Sequence, residues 1–458
     1  MTHRADDTLM QQAAALFCEG MDEPAIAAFL SIKEADVHGL LEAASQKGYF
    51  VYRPILASEL YPDVVDSVRQ AALTAALTES LTETLACMLA QITVTPSPPS
   101  MFSRYEADPK SGSQAQSDYL GAEKASVQIT SARAAHALSN ALFDGEDHFV
   151  GLNWGAVVWE TVHRIRPLPS QIREARIAAV SLFGDLDFFS PAGTASGSIN
   201  VNCNHLVMQL VQRLGGRGEA VPLNVPGFIP ARFAKKPETF EAIRAFMMSH
   251  SSYRRIFGEE PEPDPKAARA FEGIRNRPTD AVIAQVDSLI TGLGTADSYT
   301  VLRNYHTSLL DADEIQALLS FCRDGKIVGD IGGHLIESQA GQDDPEVQQF
   351  LHKVNARLLA AQPSDFIDVA GRRRKTGKGA GVMAVTVGAR KAEIVHTLLS
   401  WDPSPINALV TDTHCALALL HRVDPKGFHR FILSPEGRSL IRDPESWSPA
   451  TRRLIPVE

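Results

Sequence analysis

Along residues 8–48 apolar positions recur every three to four residues, the period of helices that bury one face. "TLMQQAAALFCEG" places Leu9, Ala13, Leu16 and Phe17 on one side and halts at Gly20. Asp22 can cap a second helix that carries Pro24 in its first turn. A third helix is predicted from about Glu34 to Lys47, ending at Gly48. Ile26, Ala27, Leu30, Ile32, Val37, Leu40 and Leu41 fall where a helix-turn-helix hides its small core. "YFVYRP" reads as a short strand leaving that unit, and the alanine- and threonine-rich residues 66–91 read as a linking helix. Residues 96–128 lack periodicity and are rich in Pro, Ser and Gly, which predicts a flexible loop.

From residue 129 the pattern changes to short apolar blocks, each broken by glycine or a polar residue and followed by a helical stretch. "DHFVGLNWGAVVWETVHRI" reads as a buried strand, a glycine turn and a helix. "ARIAAVSLF", "AVPLNV", "VDSLITGLGT", "GVMAVTVG" and "INALVTD" are further strands, and "INVNCNHLVMQLVQRLGG" a further helix. Runs this continuously apolar belong to strands covered on both faces, so a mostly parallel α/β sheet is predicted. The segmentation is a head at 1–53, a linker helix and entry at 54–95, an insertion at 96–128, a sheet domain at 129–425 interrupted near 258–282, and an extension at 426–458. Ligands of such sheets sit on the loops at the carboxyl ends of the strands.

Composition narrows the function classes. The 458 residues carry a net charge of −10, which excludes a wholly basic surface for nucleic acid. No apolar run reaches the ~18–20 residues that span a bilayer, and "MTHRADD" is not a secretory signal, so a cytoplasmic protein is expected. Cys18, Cys87, Cys203, Cys322 and Cys415 are scattered without CxxC spacing and read as reduced thiols. The histidines show no metal-ligand spacing, so neither metal nor cofactor is expected. "GRRRKTGKGAG" (371–381) lacks P-loop spacing and reads as a solvated basic loop.

Five elements then stand out by order and spacing: "GLNWGAVV" (151–158), "GLGT" (292–295), "GKIVGDIGG" (325–333), "VTVGARKAE" (385–393) and "INALVTDTHCALALL" (406–420). In these the chain resembles the SorC family of bacterial transcriptional regulators over residues 8–50 and, with insertions, about 74–422. The resemblance implies a small N-terminal helix-turn-helix and a doubly wound, Rossmann-like sugar-binding domain with the fold of ribose-phosphate isomerase and glucosamine-phosphate deaminase. It also implies a sugar or sugar-phosphate effector, operator DNA, and a homodimer or homotetramer as partners. Gly151, Asn153, Trp154 and Gly155 form a turn where backbone N–H groups and a helix N-terminus can approach an anion. Gly292 and Gly294 make a second permissive turn. Asp330 at a pocket rim suits sugar hydroxyls. Gly388 opens a turn to Lys391, a point charge suited to phosphate, and Asp412 ends the last strand facing the same region.

Three departures from the family bear on the ligand. Ala156 and Val157 stand where an Arg-Thr pair is usual, Val387 replaces a glycine before the lysine turn, and Thr413 replaces an acidic residue ahead of His414. The head departs too. Residues 1–53 hold four Lys/Arg against eight Asp/Glu, a net of −4, so its phosphate contacts are few and its DNA binding weak. The candidate DNA contacts are Lys33, Glu34, His38, Ser45 and Lys47. Two other functions stay open: a sensor or scaffold whose head docks protein, and an isomerase- or deaminase-like enzyme, which the fold alone does not imply.

Overall fold

The structure is a computed structural model that describes residues 9–10, 13–14, 23–46, 62–85, 89, 91–95, 97, 113–142, 146–165, 176–185, 202–214, 218–259, 277–295 and 309–440. The chain divides into two compact units, 1–65 and 66–458.

In the first unit, helices α1 (Glu23–Leu30) and α2 (Glu34–Gln46) are joined by a tight turn at Ser31–Lys33. Ser31 takes a left-handed φ of 56°, and Ile32 N–H donates to the Ala27 carbonyl at 3.0 Å, closing the first helix. Ile26, Ala27, Val37 and Leu41 are buried together with Ala13, and Leu30, Ile32 and Leu40 pack against them. All seven positions expected from the periodicity therefore lie in one core. Residues 49–54, expected as a strand, lie outside the described residues.

The second unit begins within α3 (Pro62–Leu85), which buries Leu73, Leu77 and Leu81 on one stripe. Seven parallel strands follow in the spatial order β1-β9-β8-β5-β2-β3-β4. They are β1 (Gln91–Thr95), β2 (His148–Leu152), β3 (Ile177–Ser181), β4 (Glu219–Val221), β5 (Ser288–Thr295), β8 (Gly381–Thr386) and β9 (Ala408–Asp412). A hairpin, β6 (Ile327–Ile331) and β7 (His334–Glu337), pairs antiparallel with the end of β5, Gly294 facing Asp330.

Successive strand residues feed two separate cores. Leu289, Val382 and Leu409 join the core that contains α3, while Ile290, Val385 and Val410 join the core on the other face. That is why these strands read as unbroken apolar runs. The second face is covered by α4 (Ser113–Leu142), α5 (Ala156–Arg164) and α6 (Cys203–Arg213), through Leu138, Val158 and Leu206.

Three expectations are corrected. Residues 113–128 are not loop but the first half of α4, whose buried face carries Ser126, Thr130 and Ser131 and so hides the helical period. The linking helix expected to reach residue 91 stops short of it: Gln91 already starts β1, a β-branched strand paired with β9. The basic run is not a solvated loop. Residues 371–376 end helix α7 (Pro363–Thr376), placing Arg373, Arg374 and Lys375 at its negative end, and Gly377 caps it with φ 73°. Arg372 donates to the Ile283 and Val286 carbonyls (2.8 and 2.9 Å), and Arg374 to the Ser404 carbonyl (3.0 Å).

Candidate functional site

The sheet reverses its winding between β2 and β5. From β2 the chain runs outward to β3 and β4; from β5 it runs the other way to β8 and β9. A crevice is expected at the carboxyl ends of strands flanking such a reversal. A pocket of about 230 Å³ opens there. Its walls come from the turn after β2 (Trp154, Gly155, Ala156, Val157), the end of β5 (Gly292–Thr295), the hairpin (Asp330, Gly332), the end of β8 and its turn (Val385–Gly388, Arg390, Lys391), and Val127 of α4.

Each wall has a local reason. Gly155 is the N-cap of α5 at φ 134°, a conformation that favours glycine, and no side chain caps the helix start. Trp154, 9% exposed, leans on Phe183 with ring centroids 5.8 Å apart. Asn153 accepts the Trp154 N–H on Oδ1 (2.8 Å), which fixes this turn from beneath. At Gly294 an ideal Cβ would lie 1.6 Å from Asp330 Oδ1, so the glycine exists to seat the carboxylate. Gly388, at φ 90°, turns the chain from β8 toward Lys391.

Asp330 is 6% exposed. Oδ2 accepts the Gly333 N–H at 3.2 Å. Burial lifts its pKa to about 6, against the opposing pull of the Lys391 ammonium and of that N–H. Lys391 Nζ also donates to the Leu293 carbonyl. The floor of the pocket thus carries a buried carboxylate within the influence of the Lys391 ammonium, and a second cation, Arg390, is exposed at its rim. Val127, Val157, Leu293, Val385 and Val387 make much of the wall apolar.

Seven of the ten sequence-named pocket residues line this space: Trp154, Gly155, Gly292, Gly294, Asp330, Gly388 and Lys391. Gly151, Asn153 and Asp412 do not. Gly151 lies inside β2 against Leu182. Asp412 is fully buried, and four donors from this chain saturate it: Gly388 N–H (3.0 Å) and Cys415 N–H (2.9 Å) on Oδ1, Ser97 and Ser126 hydroxyls (3.0 and 2.9 Å) on Oδ2. It caps the helix after β9 and tethers Gly388, so it shapes the pocket without facing it. Sequence reasoning missed Val127, Gly332 and Arg390. Gly332 and Arg390 lie within motifs already quoted, 325–333 and 385–393, though neither was named as a site residue, whereas nothing in the sequence marks Val127.

In the first unit, Lys33 and His38 are exposed, as is the acidic Asp36. Glu34 and Ser45 lie on α2 with side chains outside the described residues, as does the whole of Lys47. Among the described residues no helix is long and apolar enough to cross a membrane, and no cluster of His, Cys, Asp and Glu could hold a metal. Cys203 and Cys415 are buried and Cys322 is half-buried, and none of the three is in a disulfide.

No family model matches the sequence, and no curated protein matches it. Solved structures do. The full-length sorbitol operon regulator SorC from Klebsiella pneumoniae shares 15% identity at a TM-score of 0.50, over 91% of this chain and 98% of that one. A putative sugar-binding domain of a transcriptional repressor from Vibrio fischeri shares 15% at 0.46, over 77% of this chain and 99% of that one. A DeoR family transcriptional regulator from Listeria monocytogenes shares 13% at 0.46, over 76% and 99%. At these identities the likeness is one of fold, and the fold of this chain is that of the full-length sorbitol operon regulator.

Proposed function

We infer that the chain is a SorC-like, ligand-responsive transcriptional regulator: α1 and α2 engage operator DNA, and a sugar or sugar-phosphate effector in the pocket sets the affinity of a homo-oligomer. The observation that carries the reading is the walled pocket at the winding reversal, with a buried carboxylate and a lysine on its floor, in a chain that also holds a helix-turn-helix core. Two linked heads would offset the weakness of one, since the second binds at high effective concentration. The reading is non-enzymatic. Asp412 is spent on four structural hydrogen bonds, which leaves Asp330 as the single carboxylate lining the pocket among the described residues, with no second carboxylate beside it.

Fluorescence anisotropy with genomic fragments, at 50–200 mM salt and with and without sugars, tests the reading. Log affinity is expected to fall with log salt at a slope of about −0.9 per phosphate contacted. Asp36→Ser removes an exposed anion and is expected to raise affinity. The exposed Asp36 and the net charge of −4 over residues 1–53 favour a second reading, in which the head docks protein. Absence of DNA binding at 50 mM salt by both wild type and Asp36→Ser selects that one.

A further inference from the structure

The carboxylate of Asp412 joins four stretches of chain. It is fully buried at the end of β9. Oδ1 accepts the Cys415 N–H at the start of the helix Thr413–Val423, and also the Gly388 N–H from the turn after β8 (2.9 and 3.0 Å). Oδ2 accepts the hydroxyls of Ser97, just beyond the end of β1, and of Ser126 in α4 (3.0 and 2.9 Å). Capping the helix needs only the first of these bonds. The other three tie together segments that are distant in sequence.

Two of those segments are pocket walls. Gly388 lines the pocket, and Val127, the residue after Ser126, lines it from α4. The third is the entry strand: β1 lies at the edge of the sheet, is paired with β9, and follows α3 in the chain. Hydroxyl groups hold α4 and β1 together at this end. Thr95 Oγ1 pairs with Thr130 Oγ1 (2.7 Å), Thr413 Oγ1 donates to the Thr95 carbonyl (2.9 Å), and the His414 N–H donates to Ser97 Oγ (3.1 Å). The apolar anchorage of α4 begins only at Ala134 and runs on through Leu138 and Leu142. Among its described residues α4 therefore has an apolar half that stays fixed and a hydrogen-bonded half that is released by breaking a few bonds.

A carboxylate is planar, so its two oxygens turn together about one bond. Loss of a serine donor on Oδ2 frees that rotation and takes the acceptor on Oδ1 away from Gly388. We propose that Asp412 is a positioning residue that couples the pocket walls to the entry strand: one carboxylate holds the Gly388 turn, the Val127 wall and the end of β1, so that a shift in any one of them is felt by the other two. The proposal rests on the reading of the pocket as an effector site, and adds the element through which occupancy reaches the strand that follows α3. Such coupling is reciprocal, so a change imposed at Ser97 or Ser126 reappears at the turn after β8.

Amide hydrogen exchange on the full chain tests this without any ligand, comparing wild type with Ser126→Ala and Ser97→Ala. Each variant is expected to raise exchange at least about tenfold in peptides covering 385–391, the size of one lost hydrogen bond to a charged group. Exchange should rise in the same variants over 91–97 and 124–132, and stay unchanged over 134–142, the apolar half of α4. Ser97 is half-buried, so its alanine variant keeps the test decisive where Ser126→Ala fails to fold. Faster exchange confined to the substituted segment would make Asp412 a local cap and overturn the proposal, as would a uniform rise that includes 134–142. Either result leaves the effector reading standing, because ligand titration decides that reading separately.

Discussion

A methyl group added at Gly294 puts the seating of Asp330 to a direct test. The backbone there is open to alanine, so the consequence of Gly294→Ala lies in the contact alone: its Cβ would sit 1.6 Å from Asp330 Oδ1 and 2.6 Å from Cγ. One of the two must move. β5 is held by β2 and β8 on either side, so the yielding part is Asp330, which leaves the floor and gives up the Gly333 N–H and its approach to Lys391. Overpacking of this kind costs about 1–3 kcal/mol.

The sign with pH separates this from a general loss of stability. Burial raises the Asp330 pKa from 3.8 to about 6, so the folded state favours the protonated acid. That contribution is fully present below pH 3.8 and is lost as pH rises through 6; at 1.36 kcal/mol per pH unit it amounts to roughly 3 kcal/mol. At pH 7.5 expulsion of the carboxylate to water relieves that strain and offsets the overpacking. At pH 4.5 there is little to relieve. Gly294→Ala is therefore expected to be about 1–3 kcal/mol less stable than wild type at pH 4.5 and close to it at pH 7.5. Urea midpoints at the two pH values measure the difference. A variant that matches wild type in stability at pH 4.5 would refute the packing described for Asp330.

His334 should titrate in the opposite sense. Burial lowers its pKa from 6.5 to about 4, so the neutral ring contributes stability that is present above pH 6.5 and lost as pH falls through 4, roughly 3 kcal/mol in all. Asp330 and His334 mask one another between pH 4 and 6; His334→Gln is expected to expose a stability that falls as pH rises across that interval, and a urea profile parallel to wild type would sink the assignment. Arg357, 1% exposed, donates to both oxygens of Glu314 and to the Leu309 carbonyl, and with Lys353 it holds Glu314 down to about 2 despite the opposing effect of burial. Arg357→Met leaves a buried carboxylate with one half-exposed lysine and is expected to cost about 3–5 kcal/mol, whereas the double variant with Glu314→Leu should recover most of it; equal urea midpoints for the single and double variants would contradict the pairing.

What could be read from the sequence follows from which forces leave a periodic trace. The head was legible because Ile26, Val37 and Leu41 obey the helical period and meet across one short turn. The pocket was legible wherever a strand ended in glycine, since Gly155, Gly294 and Gly388 are needed for backbone or contact reasons that no other residue meets. The first half of α4 left no trace, and a buried position there that is described is a serine, Ser126, whose hydroxyl is satisfied by Asp412, 286 positions away in sequence. Asp412 misled for the same reason. A carboxylate at a strand end looks the same whether it faces a ligand or caps a helix, and only the convergence of Ser97, Ser126, Gly388 and Cys415 decides.

The strands of the hairpin β6–β7 were hidden from pattern reading, and they carry a carboxylate into the pocket. Its nine described strand residues are all buried, so it shows no alternation of apolar and polar positions to mark either face. Its turn takes Gly332 and Gly333 at φ 61° and 82°, with Phe366 and Phe183 packed against them, so it is anchored by contacts to distant segments. That anchoring is what allows a carboxylate to be carried to the pocket floor with one hydrogen bond in place of several: the protein supplies the position, and Gly294 supplies the room. A parallel sheet provides a crevice wherever its winding reverses, whatever its sequence. Here the ligand preference enters with the inserted strand pair, so substitutions in β6 and β7 should change what is bound, and substitutions in β2, β5 and β8 should change whether the crevice holds its shape.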